Sequence, residues 1–160
     1  MQDPRASEII TVHPVVLCLV EEAGRYLLIQ EAKENCRFLW HLPGGGLQKG
    51  EGLRVAAERE AREESGILIH TLGVMSVQRL RIEKRGFDER WRIIVVAAPI
   101  GGSLKTQEDA ESMRAGWFTP AEADRLELRM SFTRDLIRQH LKKPPLLPVD
   151  DFDIQHNQPG

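Results

Sequence analysis

Glu60, Glu63 and Glu64 stand where a helix would carry them among its own apolar residues. With Leu53 at zero and about 100° per residue, Ala57 falls at about 40°, Ala56 at about 300°, Glu60 at about 340° and Glu64 at about 20°. Glu63 lies on the edge of that face at about 280°, with Arg59 beside it at about 240°. Like charges at helical i and i+4 spacing repel, and a buried carboxylate is costly unless a cation compensates it. A divalent metal is the simplest compensation. Oxygen-only ligation selects a hard cation such as Mg²⁺ or Mn²⁺, whose usual companions are phosphate oxygens. The alternative is an exposed, charged helix face. That alternative leaves this helix without a clean apolar stripe and does not account for the run Pro43, Gly44, Gly45, Gly46 just upstream. Consecutive glycines allow close backbone approach, so the carbonyls and amides of that loop can meet a metal or phosphate held by the helix. Loop and helix read as one site for phosphate chemistry.

The elements that must position this site follow from the pattern around it. Val12 to Val20 and Arg25 to Gln30 read as two strands of a hairpin around a polar turn. A loop from Glu31 to Glu51 leads into a helix from Gly52 to Ser65, with Gly66 placed as its C-terminal cap. Ile67 to Leu80 and Arg90 to Ala98 form a second hairpin around a charged turn containing Arg85, Gly86, Phe87 and Asp88. Met113 to Phe118 reads as a short last strand. Ser131 to Leu141 reads as an amphipathic helix capped by Ser131, with Phe132, Leu136, Ile137 and Leu141 on one side. A mixed sheet flanked by helices is the expected α/β architecture.

The 160 residues suit one hydrophobic core, and neither a repeat nor a low-complexity tract divides them. The reading is one domain over residues 1–160, with a core from about 11 to 141 and a C-terminal tail from 142 to 160. Twenty-two Lys and Arg against twenty-four Asp and Glu leave a net charge of −2, which argues against nucleic acid as a partner. Val15 to Val20 and Ile93 to Ala98 are too short to span a membrane, and Asp3, Arg5 and Glu8 interrupt the place of a secretory signal. A cytoplasmic protein without a membrane partner is expected. Two cysteines make neither a disulfide framework nor a four-cysteine zinc site; Cys18 reads as buried filler and Cys36 as a loop residue.

Gly45, then five residues, Glu51, then seven residues, then Arg59-Glu60-Ala61-Arg62-Glu63-Glu64-Ser65-Gly66-Ile67 resembles the Nudix box, with Ala61 where a larger aliphatic is common. The likeness extends from about Thr11 to Leu141 and implies a Nudix α/β/α sandwich. It also implies hydrolysis of a nucleoside diphosphate linked to a further group, by a metal-activated water attacking phosphorus. By that likeness Glu60, Glu63 and Glu64 hold Mg²⁺ (or Mn²⁺) with the carbonyl of Gly44, Arg59 orients the glutamates, and Glu51 is a helix-start residue tied into the network. Gly45 and Gly46 lie against the substrate. The base is Glu63 or Glu60, or an acid from outside the box, for which Glu111 is the candidate.

The segment Glu108 to Phe118 resembles the corresponding stretch of MutT-like enzymes acting on oxidised purine nucleotides. Tyr26 to Lys33 and Gly101 to Thr106 resemble the Nudix group that includes 8-oxo-dGDP phosphatase. The expected substrate is therefore an oxidised purine nucleotide of the 8-oxo-dGDP or 8-oxo-dGTP type, as in nucleotide-pool sanitation. ADP-ribose, nucleotide-sugar and dinucleoside polyphosphate hydrolysis are the alternatives, and Ile82 stands where ADP-ribose hydrolases often carry a proline. A catalytically silent Nudix-fold sensor is the reading from another class, although such relatives typically lose box glutamates that this chain keeps. The hairpin's Arg79, Arg81, Lys84, Arg85, Arg90 and Arg92 outnumber its acids by three, so Arg79 and Arg81 are candidates to clamp phosphates, or simply face water. Trp117 reads as a core residue and His41 as structural; a homodimer is left open.

Overall fold

The computed structural model describes residues 9–85 and 88–155, so Gly86 and Phe87 of the expected turn lie outside the described residues. In chain order the elements are β1 (Val12–Glu22), β2 (Arg25–Glu31), β3 (Trp40–His41), β4 (Gly44–Gly46), the helix α1 (Leu53–Ser65), β5 (Ile67–Arg81), β6 (Glu89–Gly102), β7 (Ser112–Phe118), and the helices α2 (Pro120–Ala123) and α3 (Phe132–Leu141).

The two continuous apolar runs become the sheet's centre, as strands covered on both faces require. β1 and β6 pair in parallel from Val12 opposite Glu89 to Val20 opposite Ala97. β5 lies antiparallel to β6, which is the expected second hairpin. The first hairpin is only partly realised. β1 and β2 pair at Glu21 and Glu22 around a turn with Ala23 at φ 49° and Gly24 at φ 78°, then part. Into the gap beside β1 comes β4, with Val15, Val16 and Leu17 opposite Gly46, Gly45 and Gly44. β2 instead takes β3 and β7 as antiparallel neighbours.

Alternation along the central strands sends side chains to two cores. Val16, Cys18, Val20, Val95 and Ala97 pack with Leu53, Ala56, Ala57 and Ala61 of α1. Leu17, Leu19, Ile94 and Val96 pack with Leu136 and Ile137 of α3 on the other face. The result is the expected α/β/α sandwich with a mixed sheet. Trp117 packs against the α1-side core as expected, and Cys36, expected in a loop, is buried in a short 3-10 turn. Ser131 has helical backbone angles and caps nothing through its side chain, contrary to expectation. The helix signal that went unread is Thr119-Pro120-Ala121-Glu122, where Thr119 and Glu122 form a capping box at α2.

The segment after α3 also packs on the core. Leu147 bridges Val74 by two backbone hydrogen bonds of 2.8 and 2.9 Å, and Val149 is buried in the α1-side core. Asp153 then reaches the start of α1, where its Oδ1 accepts the Leu53 amide at 2.6 Å. Gly52, the cap residue, has no side chain to do this, and a Cβ there would meet Asp153 Oδ1 at 2.8 Å. A residue a hundred positions downstream thus caps the glutamate helix. Asp153→Ala is expected to lose about 1 kcal/mol of stability, a fall of about 2–4 °C in melting temperature with the fold retained, checked by thermal and chemical denaturation.

Candidate active site

Arg59 gathers the acids of this site. Its Nε and Nη2 donate to the two carboxylate oxygens of Glu51 at 2.7 and 3.0 Å, and Nη1 donates to Glu60 at 2.8 Å and Glu63 at 3.2 Å. Nη2 also reaches the Gly46 carbonyl at 3.2 Å. Planar donors in a fork suit this sharing, which a lysine ammonium would not reproduce. Glu51, besides holding Arg59, accepts the Gln48 amide at 3.0 Å and closes the turn before α1. Hydrogen bonding to Arg59 holds the Glu51 carboxyl below the usual range, and the same partner raises Arg59.

Glu60 and Glu64 face the glycine strand. An added Cβ on Gly45 would lie 2.4 Å from Glu60 Oε1, so the backbone there is pressed onto the carboxylate. Gly44 donates its amide to Glu64 Oε2 at 2.8 Å. Burial raises the Glu64 carboxyl to about 8, with Glu60 and Glu31 adding to the rise against the Gly44 amide. Burial raises Glu60 as well, Arg59 opposes it, and Glu63 and Glu111 add to it.

The loop after β6 is tied to the end of α1. Gly66 caps the helix at φ 78° with no room for a side chain, because a Cβ would meet the Ser103 carbonyl at 2.2 Å. Lys105 Nζ donates to the Glu63 carbonyl at 2.5 Å and to Asp109 at 2.6 Å, and Ser112 Oγ donates to the Glu64 carbonyl at 2.5 Å. Asp109 Oδ1 accepts the amides of Glu111 and Ser112 at 2.9 and 3.1 Å. Glu111 is thereby set within electrostatic reach of Glu60. Its neighbours are engaged, Glu108 in a two-point pair with Arg37 and Asp109 with Lys105, while the Glu111 carboxylate has no ion pair or hydrogen bond among the described residues. The docking roles of Lys105, Asp109 and Ser112 escaped the sequence reading because nothing local marks a loop that docks on a helix end.

Arg79 and Arg81, the candidate phosphate clamp, stand apart from the glycine strand. Arg79 forms a two-point pair with Glu89 at 2.8 and 2.7 Å and stacks over Trp91, and Arg81 is exposed where β5 ends opposite Glu89. Neither lines the recess of about 200 Å³ beside Gly44 and Gly45. That recess carries Lys33, Arg90, Arg92 and Arg129 around Val15 and Leu17. Arg129 is brought there because its backbone amide bonds the Trp40 carbonyl at 2.8 Å, and it pairs with buried Glu31 at 2.5 Å. Arg92 is nine-tenths buried with its guanidinium 4.4 Å over the Phe132 ring, and no ion pair holds it among the described residues. His41, also buried, lines the same recess with Nδ1 unpartnered, and burial with Arg129, Arg92 and Lys33 nearby pushes its pKa down to about 3. The ring is neutral.

The donors suit a divalent cation. Glu60, Glu63 and Glu64 offer only hard oxygens, one guanidinium serves two of them, and Glu64 is met by an amide rather than a charge. Among the described residues no three His, Cys, Asp or Glu side chains are already drawn together as a metal would require, and Arg59 and the Gly44 amide engage these glutamates instead.

The NUDIX domain pattern matches residues 11–140 of this sequence. The chain belongs to the Nudix family. It is 36% identical over 145 residues to the human protein named 8-oxo-dGDP phosphatase NUDT18, an overlap of 85% of this chain and 42% of that one. The mouse protein of the same name is 41% identical over 107 residues, 65% of this chain and 31% of its own. The chain thus spans less than half the length of these relatives. A NUDIX hydrolase from Nitrosomonas europaea superposes with a TM-score of 0.77 at 20% identity, covering 91% of this chain and 97% of that one, which shows the shared fold. Among the described residues no helix is long and apolar enough to cross a membrane.

Replacing Arg59 with Ala leaves Glu51 and Glu60 largely buried without their guanidinium and is expected to lose about 3 kcal/mol of stability at neutral pH. Glu51's folded pKa is depressed, so the stabilisation is complete above its ordinary value of 4.5 and is lost as pH falls through the lower folded value. Denaturation curves of wild type and Arg59→Ala should therefore converge below about pH 4.5. A gap that persists in acid contradicts this.

Proposed function

We propose that this Nudix domain hydrolyses the phosphoric anhydride of a nucleoside diphosphate-linked substrate, with oxidised guanine nucleotides preferred. The observation that carries the chemistry is the glycine strand pressed onto two buried glutamates, with Gly45 against Glu60 and Gly44 bonded to Glu64. The substrate preference is supported by the 8-oxo-dGDP phosphatases among its relatives.

Glu60, Glu63 and Glu64, with the carbonyl of Gly44, would hold Mg²⁺ or Mn²⁺, which when bound neutralises the diphosphate and acidifies a water. Arg59 keeps Glu60 and Glu63 oriented while restrained by Glu51. Glu111, held by Asp109 yet free at its carboxylate, takes the proton from the water that attacks phosphorus, and the phosphate released carries away the charge of the broken P–O bond. Gly45 and Gly46 give the phosphates a wall without side chains. A silent sensor is disfavoured because every box glutamate is present.

Phosphate release with Mg²⁺ over oxidised and plain guanine nucleotides, ADP-ribose, nucleotide sugars and dinucleoside polyphosphates tests the reading. 8-oxo-dGDP or 8-oxo-dGTP is expected to exceed its unoxidised counterpart in kcat/KM by at least about tenfold. A lead for ADP-ribose or a nucleotide sugar would overturn the substrate and leave the chemistry standing. Glu63→Gln and Glu64→Gln should each lower kcat by orders of magnitude in a folded protein. Glu111→Gln should lower kcat about 100-fold and change KM less. Full activity in excess chelator would remove the metal from the account.

A further inference from the structure

The recess at His41 and Arg92 is a built site that none of the described residues fills. It lies on the α3 face of the sheet, floored by Val15 and Leu17, while the glutamates lie on the α1 face. Only β4 separates them near Gly44 and Gly45, and Lys33 acts electrostatically on both Glu64 and His41. A substrate folded over that edge strand places its diphosphate at the glutamates and its other end in the recess.

The chemistry of that other end follows from the donors. Arg92 is a buried fork of N–H groups without an ion pair among the described residues, and Lys33, Arg90 and Arg129 add further donors. Another lining residue, His41, carries a buried nitrogen, Nδ1 of a neutral imidazole, with no partner among the described residues. With the ring proton on Nε2, Nδ1 is an acceptor flanked by donors. The major-groove edge of guanine offers acceptors at O6 and N7, and position 8 beside it carries only C–H. Oxidation at C8 turns that edge into acceptor, donor, acceptor: O6, N7–H, O8. In that tautomer the recess is complementary to the oxidised edge, and an unoxidised N7 would face Nδ1 lone pair to lone pair.

We propose that this recess is the base subsite and that His41 Nδ1 accepts the N7–H of an 8-oxopurine while Arg92 donates to a flanking carbonyl, making His41 the residue that distinguishes oxidised from plain base. The proposal rests on the oxidised-nucleotide reading above. An acceptor left unpaired in a buried site rejects the wrong base, as discrimination by hydrogen-bonding pockets requires.

The test compares kcat/KM for 8-oxo-dGDP and dGDP in wild type, His41→Phe and His41→Asn, with folding checked by circular dichroism. His41→Phe keeps a buried ring without a nitrogen and is expected to reduce the preference for the oxidised base at least about tenfold, while His41→Asn, whose Oδ1 can accept, restores part of it. A second measurement needs no variant: binding of the nucleotides 8-oxo-dGMP and 8-methoxy-dGMP to wild type in chelator. The methoxy base keeps oxygen at C8 but has no N7–H, so it should bind at least about tenfold more weakly. Equal binding, or an oxidised-base preference that survives in His41→Phe, overturns the role of His41 alone. Wild type without any preference for 8-oxo-dGDP overturns the substrate reading and this inference together.

Discussion

Everything in the site depends on one guanidinium distributed over three carboxylates. Glu51, Glu60 and Glu63 are brought together by the start of α1 and its face, and in water-excluded surroundings they would repel one another. Arg59 answers with five N–H groups in a plane: a two-point grip on Glu51, one N–H group shared by Glu60 and Glu63, and a bond to the Gly46 carbonyl. That last bond couples the helix to the glycine strand. It also leaves Glu64 outside the arginine's reach, held by the Gly44 amide alone and raised by burial. One guanidinium thus stands against four acidic side chains, an excess that an oxygen-seeking cation would offset.

The glycine strand obeys a second constraint, thickness. β4 pairs with β1 in ordinary antiparallel fashion, yet its side-chain positions are taken on both faces. A Cβ at Gly45 would strike Glu60, and one at Gly44 would lie 2.1 Å from the Val16 carbonyl and 2.9 Å from Leu17. Alanine at either position displaces what the strand presses against. One backbone layer is thus all that stands between the acidic helix and the basic recess.

The sequence reading reached the parts of this arrangement that are local or periodic. Helix α1, its Gly66 cap and the central strands follow from spacing along one element, and spacing is visible in one dimension. What remained hidden joins distant segments. The cap of α1 comes from Asp153, the loop of Glu111 is fastened to the carbonyls of Glu63 and Glu64, and Arg129 reaches the recess through Trp40. The basic hairpin illustrates the difference. Its excess of arginine was countable, but which arginines face the glycine strand depends on the pairing of β6 with β1, where Val15 lies opposite Arg92 and His13 opposite Arg90. Alternation then turns Arg90 and Arg92 to the recess, while Arg79 on β5 meets Glu89.

The net charge of −2 conceals a separation that function of this kind needs. On the proposed function, a diphosphate approaching the α1 face would meet three glutamates and be repelled unless a cation sat between them, since like charges a few ångströms apart interact strongly where water is excluded. On the α3 face the same molecule would meet Lys33, Arg90, Arg92 and Arg129, whose positive charge would attract it from a distance. Because Lys33 also acts on Glu64, the two regions are electrostatically coupled across the strand. On the proposed function, long-range attraction would belong to the basic recess and short-range chemistry to the acidic helix. A nucleotide held in that way would have to cross the glycine strand, which would make the strand as much a part of the site as the carboxylates.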